Sequence, residues 1–138
     1  MVRRAGVSRM TYYRYFSDKE ELLQFYMNYL FSLFMEQEAV SHAPFGSREH
    51  VRDTLLFFRD YGDFARCIYR SGNDGIMLRM VNRYMAMQPG FETASAARRY
   101  AFYYYAGAIY NCYIEWALED FATPVEELTG IICAFPRP

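Results

Sequence analysis

The stretch Ala5–Leu23, AGVSRMTYYRYFSDKEELL, holds two chain breaks and two helix starts within nineteen residues. Gly6 frees the backbone for a sharp turn. Ser8 follows and can cap a helix running to about Phe16. Ser17-Asp18-Lys19-Glu20 is a capping box, with Glu20 at the third helical position of the next helix. Between the breaks, Val7, Tyr12 and Phe16 are spaced to point inward, while Arg9, Thr11, Tyr13, Arg14 and Tyr15 point outward. First-turn amides and guanidinium groups favour phosphate, and tyrosine hydroxyls can donate to phosphate oxygens. Lys19, in the first turn of the following helix, adds an ammonium group beside a helix dipole. This layout predicts a recognition helix for a major groove, flanked by contacts to the sugar-phosphate backbone.

Charge is distributed to match. The net charge is −1, yet residues 1–19 carry five cations against Asp18, giving +4, and the remainder carries ten Arg against fifteen acids, giving −5. A basic end on an acidic body suits a polyanion met at that end only, although a solubilising terminus would leave the same trace. The rest of the chain is 53% hydrophobic and 20% aromatic, with fourteen Tyr, twelve Phe and eight Met. A composition this far from the disordered class builds a core, here a soft aromatic one or one completed by a partner. Cys67, Cys112 and Cys133 form no C-x-x-C pair and are expected to be buried free thiols of a reducing cytoplasm. No signal peptide opens the sequence. The longest uncharged run, Tyr100–Ile114, has 15 residues, short of the roughly 18–20 that cross a bilayer.

Periodicity is helical throughout, so the fold class is all-α. Gly, Pro, Ser and Asn clusters at 42–46, 71–75, 88–90 and 122–124 punctuate it. The helix opened by Ser17 should run to about Ala39; uncharged from Leu22 to Met35, it should be covered on most sides. Ser47 opens a helix with Val51, Leu55 and Phe58 inside. Others are expected at about Tyr61–Arg70, from Asp74 or Gly75 onward, and over Glu92 to about Asp120. Pro124, at a first helical position, starts the last.

AGVSRMTYYRYFSDKEELL resembles the helix-turn-helix signature of the TetR family of transcriptional regulators, over nearly all of residues 5–23. In that family Ala-Gly-Val-Ser leads into the recognition helix, and an aromatic residue, a closing Phe and a Lys-Glu-Glu-Leu-Leu run follow. The resemblance implies that Arg9 and Met10 approach base edges, that Thr11, Tyr13 and Tyr15 touch sugar-phosphate, that Arg14 does either, and that Lys19 clamps a phosphate. Met10 departs from the small residue or Pro common there, so base preference does not carry over. Tyr12 fits packing against a neighbouring helix better than DNA contact. The family's first helix has no counterpart before Val2, and the second is reduced to 2–5. Val7, Tyr12 and Phe16 would then lack the surface they pack on, at a cost of roughly 1.5–3 kcal/mol per large side chain, and DNA binding by this chain should be weak and without sequence preference.

More loosely, RRYAFYYYAGAIYNCYIEWALEDFATPVEELTGII, residues 98–132, resembles the last two helices of a TetR-type regulatory domain, nearest the branch of the dihydroxyacetone-kinase operon regulators. The division implied is a remnant of the DNA-binding domain over 1–20 and a helical ligand-binding and dimerisation domain over 21–138. In the family these two helices form a four-helix bundle across a two-fold axis. A homodimer face of Gly107, Ala108, Ile114, Leu118, Leu128 and Ile132 is expected; a central helix of a monomer is the alternative. The family's effector cavity would be lined by Phe58, Tyr61, Phe64, Met77, Met80, Tyr84, Tyr104 and Asn111, residues that could equally be plain core. The function implied is a dimeric, small-molecule-responsive regulator that binds double-stranded operator DNA when its domain is complete. The alternative is a dimerisation and ligand-binding module without specific DNA binding. No cofactor, metal site, membrane partner or catalytic residue is expected. His42 and His50 lack a Cys or carboxylate at metal-ligand spacing, and no nucleophile elbow or phosphate-cradling loop is present.

Overall fold

A computed structural model describes residues 19–138. The expected recognition helix at about 8–16, with Val7, Arg9, Met10, Thr11, Tyr12, Tyr13, Arg14, Tyr15 and Phe16, and the Ser17 cap lie outside the described residues. Within them all regular structure is α-helix: α1 Lys19–Val40, α2 Arg48–Arg59, α3 Gly62–Arg70, α4 Gly75–Ala86, α5 Ala96–Leu118 and α6 Val125–Cys133.

Glu20 and Glu21 sit in the first turn of α1, where carboxylates complement the helix dipole. The helix buries Leu23, Met27, Leu30, Phe31 and Phe34, a stripe at helical spacing. Cover on most sides does not follow from the absence of charge: Phe25 remains 60% and Tyr29 53% exposed. The inner stripe supplies most of the packing, with Tyr26 packed edge-on against Phe64 beside it, and Phe25 and Tyr29 lie largely exposed.

Ser47 caps α2 as expected, its hydroxyl accepting the His50 N–H at 3.2 Å. α5 starts four residues later than the sequence suggests. Gly90 takes φ 82 in the Pro89-Gly90 turn, and Ser95 provides the cap by accepting the Arg98 N–H at 3.3 Å. Its end also differs. Asp120 and Phe121 adopt φ 54 and 59, left-handed values that cost roughly 1–2 kcal/mol in a residue with a side chain. The turn is held by the Phe121 N–H on the Trp116 carbonyl at 2.8 Å and by the Trp116 indole N–H on the Thr123 carbonyl at 2.7 Å. Its product is an edge-on Trp116–Phe121 pair, centroids 4.7 Å apart. Gly62, opening α3, lets that ring close in: a Cβ there would lie 2.4 Å from the Phe121 ring. Pro124 stands one position before α6, as its N-cap.

The core runs as three joined clusters. Leu23 and Met27 meet Ala65, Ile68, Ile76 and Ile114 at one end. Phe31 and Phe34 meet Tyr84, Met85, Phe102 and Tyr105 in the middle. Val51, Leu55, Trp116, Leu128 and Ile132 pack α2, α5 and α6 together. At roughly 1.5–3 kcal/mol per large side chain, this burial is what orders so many short helices.

Candidate functional site

A partly enclosed pocket of about 100 Å³ opens where α1, α2, α4 and α5 converge over α3. Its walls are Leu30, Phe31 and Phe34 from α1, Val51, Thr54 and Phe58 from α2, Met77, Met80 and Val81 from α4, and Ile109, Tyr110 and Tyr113 from α5. Among the described residues no Asp, Glu, Lys or Arg lines it. Four methionines, Met27, Met77, Met80 and Met85, make the wall adaptable, because an unbranched thioether side chain repacks at low cost.

At one edge stands a polar cluster that spacing along the sequence did not reveal. The Gly46 N–H donates to His50 Nδ1 at 3.1 Å, which leaves Nε2 to carry the ring proton. Nε2 lies 3.1 Å from Glu38 Oε2 and 2.9 Å from the Tyr84 hydroxyl, and that hydroxyl donates to the same carboxylate oxygen at 2.7 Å. Burial by itself would push the Glu38 carboxyl up, but the hydrogen bonds from His50 and Tyr84 outweigh it and hold it below the ordinary carboxylate value. The Tyr84 hydroxyl is pushed well up, by burial first and then by its bond to Glu38. The cluster ties the end of α1 to α2 and α4. His50, whose sequence neighbours place no Cys or carboxylate at metal-ligand spacing, meets the Glu38 carboxylate from twelve residues away.

The other tyrosines brace the frame. Tyr110 donates to Asp74 Oδ2 at 2.7 Å and joins α5 to the start of α4. Tyr113 donates to the Phe58 carbonyl at 2.7 Å and joins α5 to the end of α2. Burial raises both phenols, and Tyr105 is pushed up to about 12 by burial. One hydroxyl stands apart. Thr54 Oγ1 is shielded from solvent and has no hydrogen-bond partner among the described residues.

Of the residues expected around an effector cavity, Phe58, Tyr61, Phe64, Met77, Met80 and Tyr84 lie on this wall. Tyr104 and Asn111 do not. Tyr104 is 77% exposed, and Asn111 is exposed with its amide donating to the Gly107 carbonyl at 2.8 Å. Seven residues, close to two turns, separate them, so both ride the outer face of α5 while Tyr105 and Tyr110 face inward. The expected dimer face divides likewise. Gly107, Ala108 and Leu118 are half-buried, but Ile114 is 6%, Leu128 8% and Ile132 3% exposed. Those three point into the chain's own core, because they share the inner stripe with Tyr110 on α5 and with Trp116 across α6. Lys19 is exposed at the first residue of α1.

All three cysteines are half-buried free thiols, and burial raises that of Cys112. No helix among the described residues is long and apolar enough to cross a membrane.

Fold and site together define, over the described residues, an all-helical domain with a partly enclosed, uncharged space of small-molecule size. Residues 1–24 match the model of bacterial regulatory proteins of the tetR family, and over that segment the chain is similar to them. The match is to the family as a whole, not to a branch of it. No curated protein and no solved structure matches the chain.

Proposed function

We propose that the chain is a dimeric, small-molecule-responsive transcriptional regulator of the bacterial cytoplasm, with residues 1–20 serving DNA and 21–138 serving ligand binding and dimerisation. The observation that carries this is the apolar pocket against α1. That helix continues directly from the family-matched segment and forms one wall of the pocket through Leu30, Phe31 and Phe34. A ligand seated there displaces α1, and α1 carries the recognition segment. Two recognition helices of a dimer must match half-sites about 34–36 Å apart, so a small displacement is enough to end operator binding. Arg9, Met10, Thr11, Tyr13, Arg14, Tyr15 and Lys19 are the proposed contacts to double-stranded DNA.

The proposed dimer face is the outer side of α5. Tyr100 is 75% and Tyr104 77% exposed there, with Gly107 one turn on. A side chain at 107 would meet nothing of its own chain within 4 Å, so internal packing does not require a glycine. A second copy approaching along a bare backbone would. Ile131 and Phe135, on and just after α6, are further exposed apolar side chains, at 45% and 53%.

Titration of duplex DNA with the chain and with an Arg9→Ala/Arg14→Ala variant tests the DNA assignment. Salt-dependent binding is expected, with the slope against log salt falling by about one for each phosphate contact removed. Equal binding by both proteins would contradict it and favour a dimerisation and ligand-binding module without a DNA role.

A further inference from the structure

The chemistry of the ligand can be read from the pocket wall. Thr54 sits inside α2, where a threonine hydroxyl commonly bonds back to the carbonyl four residues earlier. Thr129 does this in α6, donating to the Val125 carbonyl at 2.6 Å. Thr54 does not, and its Oγ1 is a solvent-shielded polar atom without a partner among the described residues. Leaving such a hydroxyl unsatisfied is unfavourable, a penalty that a bound oxygen would remove. Four polar side chains of the wall are already engaged: His50 with Gly46, Glu38 and Tyr84, Tyr84 with Glu38, Tyr110 with Asp74, and Tyr113 with the Phe58 carbonyl.

Charge and size narrow the class. With no charged side chain on the wall, an ionised ligand would enter without a counter-charge and lose its hydration. The volume of about 100 Å³ approaches the roughly 150 Å³ at which an apolar cavity takes up benzene, and methionine walls can yield the difference. Phe31, Phe34 and Phe58 offer edges and faces to an aromatic ring.

From these features, and resting on the ligand-responsive reading above, we infer that the pocket takes a neutral, benzene-sized aromatic molecule bearing one oxygen function, held by a hydrogen bond to the Thr54 hydroxyl. Phenol is the simplest member of the class. Its hydroxyl either accepts from Thr54 Oγ1 or donates to it, while the ring fills the apolar space. Thr54 Oγ1 is the one solvent-shielded side-chain polar atom without a partner among the described residues, so the site selects for where the oxygen sits on the ring and against a second polar group.

Calorimetric titration of the full 138-residue chain with phenol, toluene and benzoate tests this, using the wild type, Thr54→Val and Thr54→Ser. Thr54→Val keeps the shape and removes the hydroxyl; Thr54→Ser keeps the hydroxyl. Phenol and toluene bind the wild type and benzoate does not. Thr54→Val weakens phenol by roughly three- to tenfold, the worth of one hydrogen bond, and leaves toluene within about twofold. Thr54→Ser retains the preference. Toluene binding with phenol unaffected by Thr54→Val would overturn the Thr54 assignment and leave the pocket standing as a ligand site. Equal weakening of both ligands would make Thr54 a packing residue and overturn it too. Benzoate binding as tightly as phenol would overturn the neutral class. Binding of none of the three would overturn this inference together with the ligand-responsive reading.

Discussion

His50 holds a main-chain N–H on one ring nitrogen and faces a carboxylate and a phenol with the other, all behind a loop and two helix ends. Nothing in the local sequence announces this. Glu38, Gly46, His50 and Tyr84 come from α1, a turn, α2 and α4, and only the packing of those elements brings them together. The same limit explains Thr54, an ordinary helical residue until the neighbouring helices close over it. The apolar lining was easier to read, since Phe58, Met77, Met80 and Tyr84 declare themselves by size and spacing. The Glu38 carboxyl lies below its ordinary value of 4.5, so its folded form binds the proton less readily than its unfolded form. The sign follows: the carboxylate stabilises the fold above that ordinary value, and the stabilisation disappears as pH falls through the lowered one. Glu38→Gln is therefore expected to cost about 1.5–3 kcal/mol near neutral pH, the range for a buried hydrogen bond to a charged group, and progressively less in acid. Urea unfolding of both proteins at neutral pH and well below pH 4.5 reads this directly, and a pH-independent difference would contradict it.

At the scale of elements, helix identity was legible and helix facing less so. Caps at Ser47 and Ser95 and breaks at Gly90 and Pro124 follow from side-chain hydrogen bonding and backbone geometry that act within a few residues. Facing depends on neighbours. α5 is uncharged from Tyr100 to Ile114, so its sequence does not distinguish the side packed on α2 and α4 from the side left outward. That is why Tyr104 and Asn111 were expected at the pocket, and Ile114 at the dimer face. On the fold, Tyr104 belongs to the outer strip and can be changed without disturbing the core. Tyr104→Glu should weaken self-association by on the order of thirtyfold or more while leaving the helical circular dichroism and melting temperature close to wild type. Light scattering across a concentration series measures it. A wild-type monomer at micromolar concentration, or a dimer indifferent to the substitution, would refute the α5 face.

At the scale of the whole molecule, a segment that matches the tetR-family model leads in sequence into a helical body built around uncharged space. α1 is the connecting part, flanking the pocket with Leu30, Phe31 and Phe34 and tied at its far end through Glu38 to α2 and α4. The central claim is that the space is a ligand site and not a packing defect. Val81 lies half-buried on α4 at the pocket wall, and a phenylalanine there would occupy the space a ligand needs at a packing cost of about 1–3 kcal/mol. The deciding measurement is toluene titration of the wild type and of Val81→Phe, each first shown to melt cooperatively. Saturable one-to-one binding by the wild type and none by Val81→Phe is the predicted result. Absence of binding by the wild type, or equal affinity in both proteins, would contradict the account.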